Sequence, residues 1–227
     1  MALHPNGVHH LAIATRDMKA QLEFFTDVLG GELKAMYWMH GVANTFHAFV
    51  ELNPSCYIAF QQHPDNPAEG TVGVTHAGNA GGQVTAGTMQ HLALSVDTLD
   101  DLLALRDRIR SRGVPVMGPM NHGMCQSVYF AGPEGLALEV ACGSAIDERA
   151  WIDPEVQALL GIDADELQHM LYPASFERPE GGVPQPSADG PGPHLVYPAA
   201  IYRLLLERTD EQMWNAVESE PPVKAAG

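Results

Sequence analysis

The sequence predicts an α+β fold in which two βαβββ repeats form a mixed, curved sheet around a cleft, followed by a mainly helical C-terminal extension. Three observations carry this expectation. The stretch Val8-His9-His10-Leu11-Ala12-Ile13-Ala14 returns as Met89-Gln90-His91-Leu92-Ala93-Leu94-Ser95, with His10 and His91 offset by 81 residues. Each copy is followed by a helical pattern and then three strand-like segments, and a unit recurring in fixed order marks a duplication. The composition then changes: residues 143–227 hold 15 of the 28 acidic residues, 5 of the 12 basic ones and 10 of the 17 prolines.

The elements follow in order. Residues 8–14 read as a short strand. Residues 17–29 read as a helix, with Leu22, Phe25 and Leu29 at helical spacing. It stops at Gly30-Gly31, because glycine accepts the left-handed conformation that ends a helix. Residues 32–39, 45–52 and 56–62 read as strands, the last two joined by the turn Asn53-Pro54-Ser55. A glycine-rich connector, residues 71–88, carries His76. The second copy reads as a strand at 89–95, a helix at 98–112 ended by Gly113, and strands at 115–119, 126–130 and 136–142, with Gly132-Pro133-Glu134-Gly135 as its last turn. Repeat one thus spans 7–63 and repeat two 88–143, within one domain over 7–143. Two copies of one unit pack about a pseudo-twofold axis, so the equivalent first strands are expected to face one shared cleft. In the extension, residues 144–227, the segments 153–160 and 163–171 read as short helices, each opened by an aspartate cap. Residues 178–193 read as a Pro/Gly loop, 199–217 as an amphipathic helix and 218–227 as a disordered end.

Composition sets further bounds. A chain of 227 residues with 45% hydrophobic content can build a real core. The formal net charge of −16 opposes a surface that neutralises phosphates or anionic lipids, so neither nucleic acid nor a membrane is an expected partner. No apolar run reaches the ~18 residues of a membrane helix. The first residues lack a basic stretch followed by an apolar run, so no signal peptide is expected. Cys56, Cys125 and Cys142 are widely spaced and make no CxxC pair. A cytoplasmic protein with reduced thiols is the expectation.

Eleven histidines are many for this length, and histidine is both the commonest metal ligand and a proton carrier near neutral pH. His10 and His91 hold equivalent strand positions. Alternation puts Ala137, Glu139 and Ala141 on one strand face and Leu138 and Val140 on the other. Glu139 is then a carboxylate in an apolar strand, costly to bury without a partner. A cation would resolve that cost. Two imidazoles and one carboxylate are the facial triad of non-haem Fe(II) oxygenases, which leaves positions open for substrate and dioxygen. Taken singly, each residue also suits a plainer role, as a satisfied core histidine or an ion-paired glutamate.

With these residues in place, the chain resembles the vicinal oxygen chelate superfamily over about residues 7–143. That superfamily includes glyoxalase I, methylmalonyl-CoA epimerase, fosfomycin and bleomycin resistance proteins, and extradiol ring-cleavage dioxygenases. The stretch Val128-Tyr129-Phe130-Ala131-Gly132-Pro133-Glu134-Gly135-Leu136-Ala137-Leu138-Glu139 is similar to its final hairpin. The chain looks most like the type I extradiol dioxygenases. Tyr129 precedes Glu139 by ten residues, His122 precedes Val128-Tyr129, and His76 lies fifteen residues before His91. Gly132 and Met120 depart from that subgroup's pattern. In the last strand of repeat one, Ala59 and Gln61 share the face matching Glu139. Neither is a carboxylate, which speaks against a glyoxalase pattern and leaves Gln61 as a candidate fourth ligand in an epimerase-like one.

The resemblance implies Fe(II), or Mn(II) or another divalent metal, on His10, His91 and Glu139. It implies a catechol-type aromatic diol and O2 as substrates, with His76 as acid–base group and with Tyr129 and His122 hydrogen-bonding the substrate oxygen. A homo-oligomer is expected. Met36, Trp38, Phe46, Phe49 and the loop around Met117–Met124 are candidates to supply an apolar pocket, with Tyr172, Phe176, Tyr197 and Tyr202 of the extension as candidates to cover it. A metal-dependent isomerase or lyase of the same superfamily, and a non-catalytic small-molecule binding protein on the same fold, stand as alternatives.

Overall fold

The computed structural model describes residues 3–224. The chain divides into two compact units: Gly7–Met39 with Asn44–Gly161, and the described parts of Met1–Asn6, His40–Ala43 and Ile162–Gly227. The larger unit holds the two βαβββ modules. Module one consists of β1 (His10–Ala14), α1 (Met18–Glu23), β2 (Glu32–Trp38), β3 (Phe46–Asn53) and β4 (Cys56–Gln62), in the sheet order β1-β4-β3-β2. Module two consists of β5 (Leu92–Ser95), α2 (Leu99–Ser111), β6 (Met117–Asn121), β7 (Cys125–Ala131) and β8 (Ala137–Gly143), in the matching order β5-β8-β7-β6. In each sheet the first strand runs parallel to the last, and the other pairs are antiparallel.

Local chemistry explains the helices. Asp17 accepts from the Ala20 N–H and Thr98 from the Asp101 N–H, so each helix opens on a side-chain cap. The first helix is not one straight rod. After Glu23 it widens into a π-turn over Phe24–Val28. There the Thr26 hydroxyl donates to the Leu22 carbonyl at 2.7 Å, and such back-bonding competes with the regular helical ladder. The turn closes at Gly31, where a Cβ would fall 2.6 Å from a Val50 methyl, so only glycine lets the chain enter β2 here.

Alternation sorts the strands into two faces. Leu11, Ile13, Val50, Ile58 and Phe60 face α1 and its Phe25. Leu94, Val128, Phe130, Leu138 and Val140 face α2 and its Leu102 and Ile109. All of these belong to one continuous core. Each fully buried Phe or Leu among them contributes about 1.5–3 kcal/mol of transfer free energy.

Three sets of contacts join the modules on this side. Phe24 stacks on Phe130 with centroids 6.4 Å apart. Arg108 in α2 donates to the Val28 carbonyl at 3.0 Å, and Arg112 pairs with Asp27 at 3.0 Å. Glu134, in the turn between β7 and β8, accepts from the Arg16 N–H at 2.7 Å, from Gln21 Nε2 at 2.8 Å and from the Thr15 hydroxyl. Burial opposes the charge on Glu134, but these three hydrogen bonds win and hold its carboxyl below the usual range.

This joining differs from the expected shared cleft in one respect. Because the helix-bearing faces share one core, the two helix-free faces point away from it. His10 is exposed, and among the described residues it is not grouped with His91 and Glu139.

Past β8, α3 (Glu148–Trp151) and α4 (Pro154–Leu159) still belong to the larger unit. The smaller unit contains α5 (Ala164–Leu171), α6 (Ala199–Leu206) and α7 (Asp210–Trp214). The single helix expected over 199–217 is two helices. Thr209 starts a new one through a capping box with Gln212, and a residue that caps one helix interrupts the helix before it. Residues 218–224 form no helix or strand, and 225–227 lie outside the described residues. Among the described residues no helix is long and apolar enough to cross a membrane.

The clasp at Glu134 has a measurable pH signature. Its folded pKa lies below its unfolded value near 4.5, so its contribution is present above that value and is lost as pH falls through the folded pKa. We expect Glu134→Gln to lower unfolding free energy at pH 7 by about 1 kcal/mol. That difference should shrink toward zero below about pH 4 in urea titrations. An unchanged gap at acid pH would show that the carboxylate charge is not what the clasp uses.

Candidate metal and substrate site

The helix-free face of the second sheet gathers most of the expected polar residues. Glu139, in the central strand β8, is 5% exposed, and its Oε2 lies 2.8 Å from His91 Nε2. Tyr129 stands opposite Glu139 in the β7–β8 register, and the ring centroids of His91 and Tyr129 are 6.4 Å apart. The Tyr129 hydroxyl lies 2.9 Å from His122 Nε2. Burial pushes the Tyr129 phenol up, a hydrogen bond with Ser127 pulls against this, and the Glu139 carboxylate adds to the rise. The net shift is upward, so the phenol stays protonated at neutral pH.

Two residues that sequence reasoning passed over hold this group in place. Gln90 donates through Nε2 to the carbonyls of Asn79, Ala80 and Gly82, at 3.1, 2.8 and 3.1 Å. Its Oε1 is then the end that faces His91 Nδ1. Trp151 in α3 lies over the β6–β7 turn, where a Cβ on Gly123 would fall 2.8 Å from the indole. That contact fixes the turn next to His122. Neither residue has a spacing rule of its own; each is found only through the fold.

The Gln90 contact bears on whether a cation fits. A carboxamide oxygen only accepts, so it assigns the proton of a neutral His91 ring to Nδ1 and leaves a lone pair on Nε2. That lone pair and the Glu139 carboxylate face each other at 2.8 Å. Two ligand atoms at right angles, each ~2.1 Å from one divalent cation, stand about 3 Å apart. The pair therefore fits two neighbouring positions on a cation.

His10 is placed elsewhere. Its Nδ1 lies 2.9 Å from His9 Nδ1, and its ring lies against Phe49 with centroids 5.5 Å apart. Among the described residues no three His, Cys, Asp or Glu side chains come together closely enough to hold a metal ion, so His10 does not join His91 and Glu139. Instead the helix-free face of the first sheet is an aromatic floor. Phe49 lies 4.6 Å from His47 and stacks with Tyr37 at 6.4 Å, centroid to centroid. Burial lowers the pKa of His47, and the charge of His10 adds to this. The register explains why sequence reading left His47 and Tyr37 unassigned: they reach this face only through the pairing of β2, β3 and β4. The same register places Met36, Trp38 and Phe46 on the opposite face from Phe49, so these three do not line the floor. Gln61 lies on the floor's face and donates to Met39 Sδ at 3.2 Å.

The strand register also settles what replaces Glu139 in module one. Ala93 pairs with Glu139 and Ala12 pairs with Ala59, so Ala59 is the structural counterpart. His76 lies 2.8 Å from Thr75 Oγ1 through its Nδ1 and sits beside Gly135 in the final turn. With Arg16, Gln90 and Glu134 it lines a cavity of about 740 Å³ along β1. It makes no hydrogen bond to His91, Glu139, Tyr129 or His122.

Known proteins share this architecture. The sequence model of the Glyoxalase/Bleomycin resistance protein/Dioxygenase superfamily matches residues 7–140. The chain is 26% identical over 132 residues to biphenyl-2,3-diol 1,2-dioxygenase 2 of Rhodococcus globerulus, and 23% identical over 136 residues to biphenyl-2,3-diol 1,2-dioxygenase 3 of the same organism. Each match covers 58% of this chain and 60% of the relative. Among solved structures, a glyoxylase/bleomycin resistance protein/dioxygenase domain from Frankia sp. EAN1pec superposes with a TM-score of 0.51 at 19% identity, over 62% of this chain and all of that one. With the family match spanning more than half of the chain and both βαβββ modules, the protein belongs to the Glyoxalase/Bleomycin resistance protein/Dioxygenase superfamily.

Proposed function

We propose that the protein is a divalent-metal-dependent extradiol dioxygenase that opens a catechol-type aromatic ring with O2. The observation that carries this reading is the His91–Glu139 pair standing beside the Tyr129–His122 pair on one sheet face. The first pair offers ligands, and the second offers a phenol hydroxyl held against an imidazole. Low-identity relatives named as biphenyl-2,3-diol dioxygenases support the substrate class.

In this reading His91 and Glu139 would supply two ligands to Fe(II), Mn(II) or another divalent ion, which when bound would supply Lewis-acid activation of the diol and contact with O2. The chain's own groups do the rest. Gln90 orients His91. Tyr129 donates its O–H to a diol oxygen, and His122, 2.9 Å away, donates to the Tyr129 oxygen through Nε2–H. Phe49, Tyr37 and His47 provide flat surfaces suited to an aromatic ring. His76 is the proposed acid–base group that moves the diol proton, a role worth about 10²–10⁴-fold in rate.

The primary test is to load the purified chain with Fe(II) under anaerobic conditions, count bound metal, then add a panel of catechols with O2 and follow oxygen uptake and ring-opened product. Metal uptake with oxygen-dependent ring opening is expected. Metal uptake without oxygen consumption would move the reading to an isomerase or lyase, and no uptake at all to a binding protein.

Variants divide the roles. Glu139→Gln should abolish metal retention in the native fold. Gln90→Ala should weaken metal affinity about 10- to 100-fold by freeing His91, as loss of such outer partners does. Tyr129→Phe should keep metal and lower turnover by at least about tenfold. His76→Ala should keep metal and cut turnover by about 100-fold or more. Full turnover in His76→Ala would hand proton transfer to the Tyr129–His122 pair.

A further inference from the structure

We infer that the cavity of about 740 Å³ along β1 is a binding site for a small organic carboxylate with an apolar body, and that Arg16 takes the carboxylate. His91, Glu139, Tyr129 and His122 are not among the residues that line this cavity. The site is therefore separate from the metal pair and does not rest on the reading of that pair.

Arg16 is fixed without being used up. Its Nη1 donates to the Pro64 carbonyl at 2.5 Å and to the Asn66 carbonyl at 3.0 Å. Asn66 in turn donates through Nδ2 to the carbonyls of Thr15 and Gln61, at 3.0 and 3.3 Å. The guanidinium and the segment that grips it are thus locked to the ends of β1 and β4. Among the described residues Nε and Nη2 have no hydrogen-bond partner, and no carboxylate pairs with Arg16. An arginine pinned through one nitrogen keeps the planar fork of its other two for both oxygens of a carboxylate. Because the side chain is already ordered, binding costs little further conformational entropy.

The other charges of the wall do not take this role. Glu134 already accepts from the Thr15 hydroxyl, the Arg16 N–H and Gln21 Nε2, so its charge is spread over three protein hydrogen bonds. Glu69 is exposed, where solvent and salt screen its repulsion. Leu11, Ile13, Met89 and Leu136 make the apolar part of the wall. A volume of this size with mainly apolar walls and one directional charge suits a small molecule. Such a site selects a carboxylate carrying a ring or short alkyl chain over a bare inorganic anion.

The test uses the full chain, freed of metal with the neutral chelator 1,10-phenanthroline and titrated calorimetrically. The probes are benzoate, hexanoate, benzyl alcohol, benzylamine and inorganic phosphate. Benzoate and hexanoate should bind at least about tenfold more tightly than the other three. Arg16→Ala should weaken benzoate about 10- to 100-fold, and Arg16→Lys, which keeps the charge but not the fork, should fall between. Since Arg16 also pins residues 64–66, a second variant leaves it alone: Met89→Trp fills the cavity and should weaken benzoate as well. In amide NMR spectra benzoate should shift Ala12, Arg16 and Gly135 and leave Tyr129 and Glu139 in place. No carboxylate binding, a preference for benzylamine or phosphate, full affinity in Arg16→Ala or Met89→Trp, or shifts centred on Tyr129 and Glu139 would each overturn the inference. None of these results depends on whether the chain binds a metal or consumes oxygen.

Discussion

One hydrophobic core serves both βαβββ modules, and the arrangement of everything else depends on it. Each sheet has one apolar face, and that face must be covered. The chain covers both at once by bringing its two helices and their sheets around a common set of side chains, with Phe24 on Phe130 and Arg108 on the carbonyls that end the first helix. The Glu134 carboxylate ties the final turn of module two to the start of the first helix. Once the apolar faces are used up inward, the polar residues of both sheets have nowhere to point but outward. The position of the chemistry is thus a consequence of how the core is closed.

Duplication without symmetry is the second theme. The two modules share strand order, register and a histidine at the entry to the first strand, His10 opening β1 and His91 standing one residue before β5. They differ at the positions that carry chemistry: Ala59 against Glu139, Phe49 against Tyr129, and His47 against Ser127. Each module has kept what the fold requires and varied its open face, one toward a carboxylate, a phenol and two imidazoles and the other toward an aromatic surface. A buried carboxylate in both modules would carry the cost of two desolvated charges.

Much of this was legible in the sequence, for identifiable reasons. Period-two alternation and glycine stops act within a few residues, so the order of elements, the caps at Asp17 and Thr98 and the faces of Glu139 and Tyr129 could be read locally. The Tyr129–His122 contact follows a short spacing across one hairpin. The illegible part is the non-local part. Whether two helix-bearing faces share a core or enclose a cleft depends on contacts such as Arg112 with Asp27, 85 residues apart, which no local pattern encodes. His47 and Tyr37 reached the His10 face through three strand pairings in series. The π-turn after Glu23 and the break before Thr209 each arise from one hydroxyl competing with the helix ladder, a contest that helical periodicity does not register.

The clamp on Gln90 gives the glycine-rich connector a meaning beyond reach. Such segments ordinarily act as slack between domains. Here three carbonyls of residues 79–82 grip one amide nitrogen, and the oxygen at the other end of that amide decides which nitrogen of His91 carries its proton. The backbone of the connector is therefore wired to the electronic state of an imidazole. A change of length or stiffness at residues 79–82 moves the amide that orients the His91 ring, so the linker between the two modules is part of how that imidazole is held.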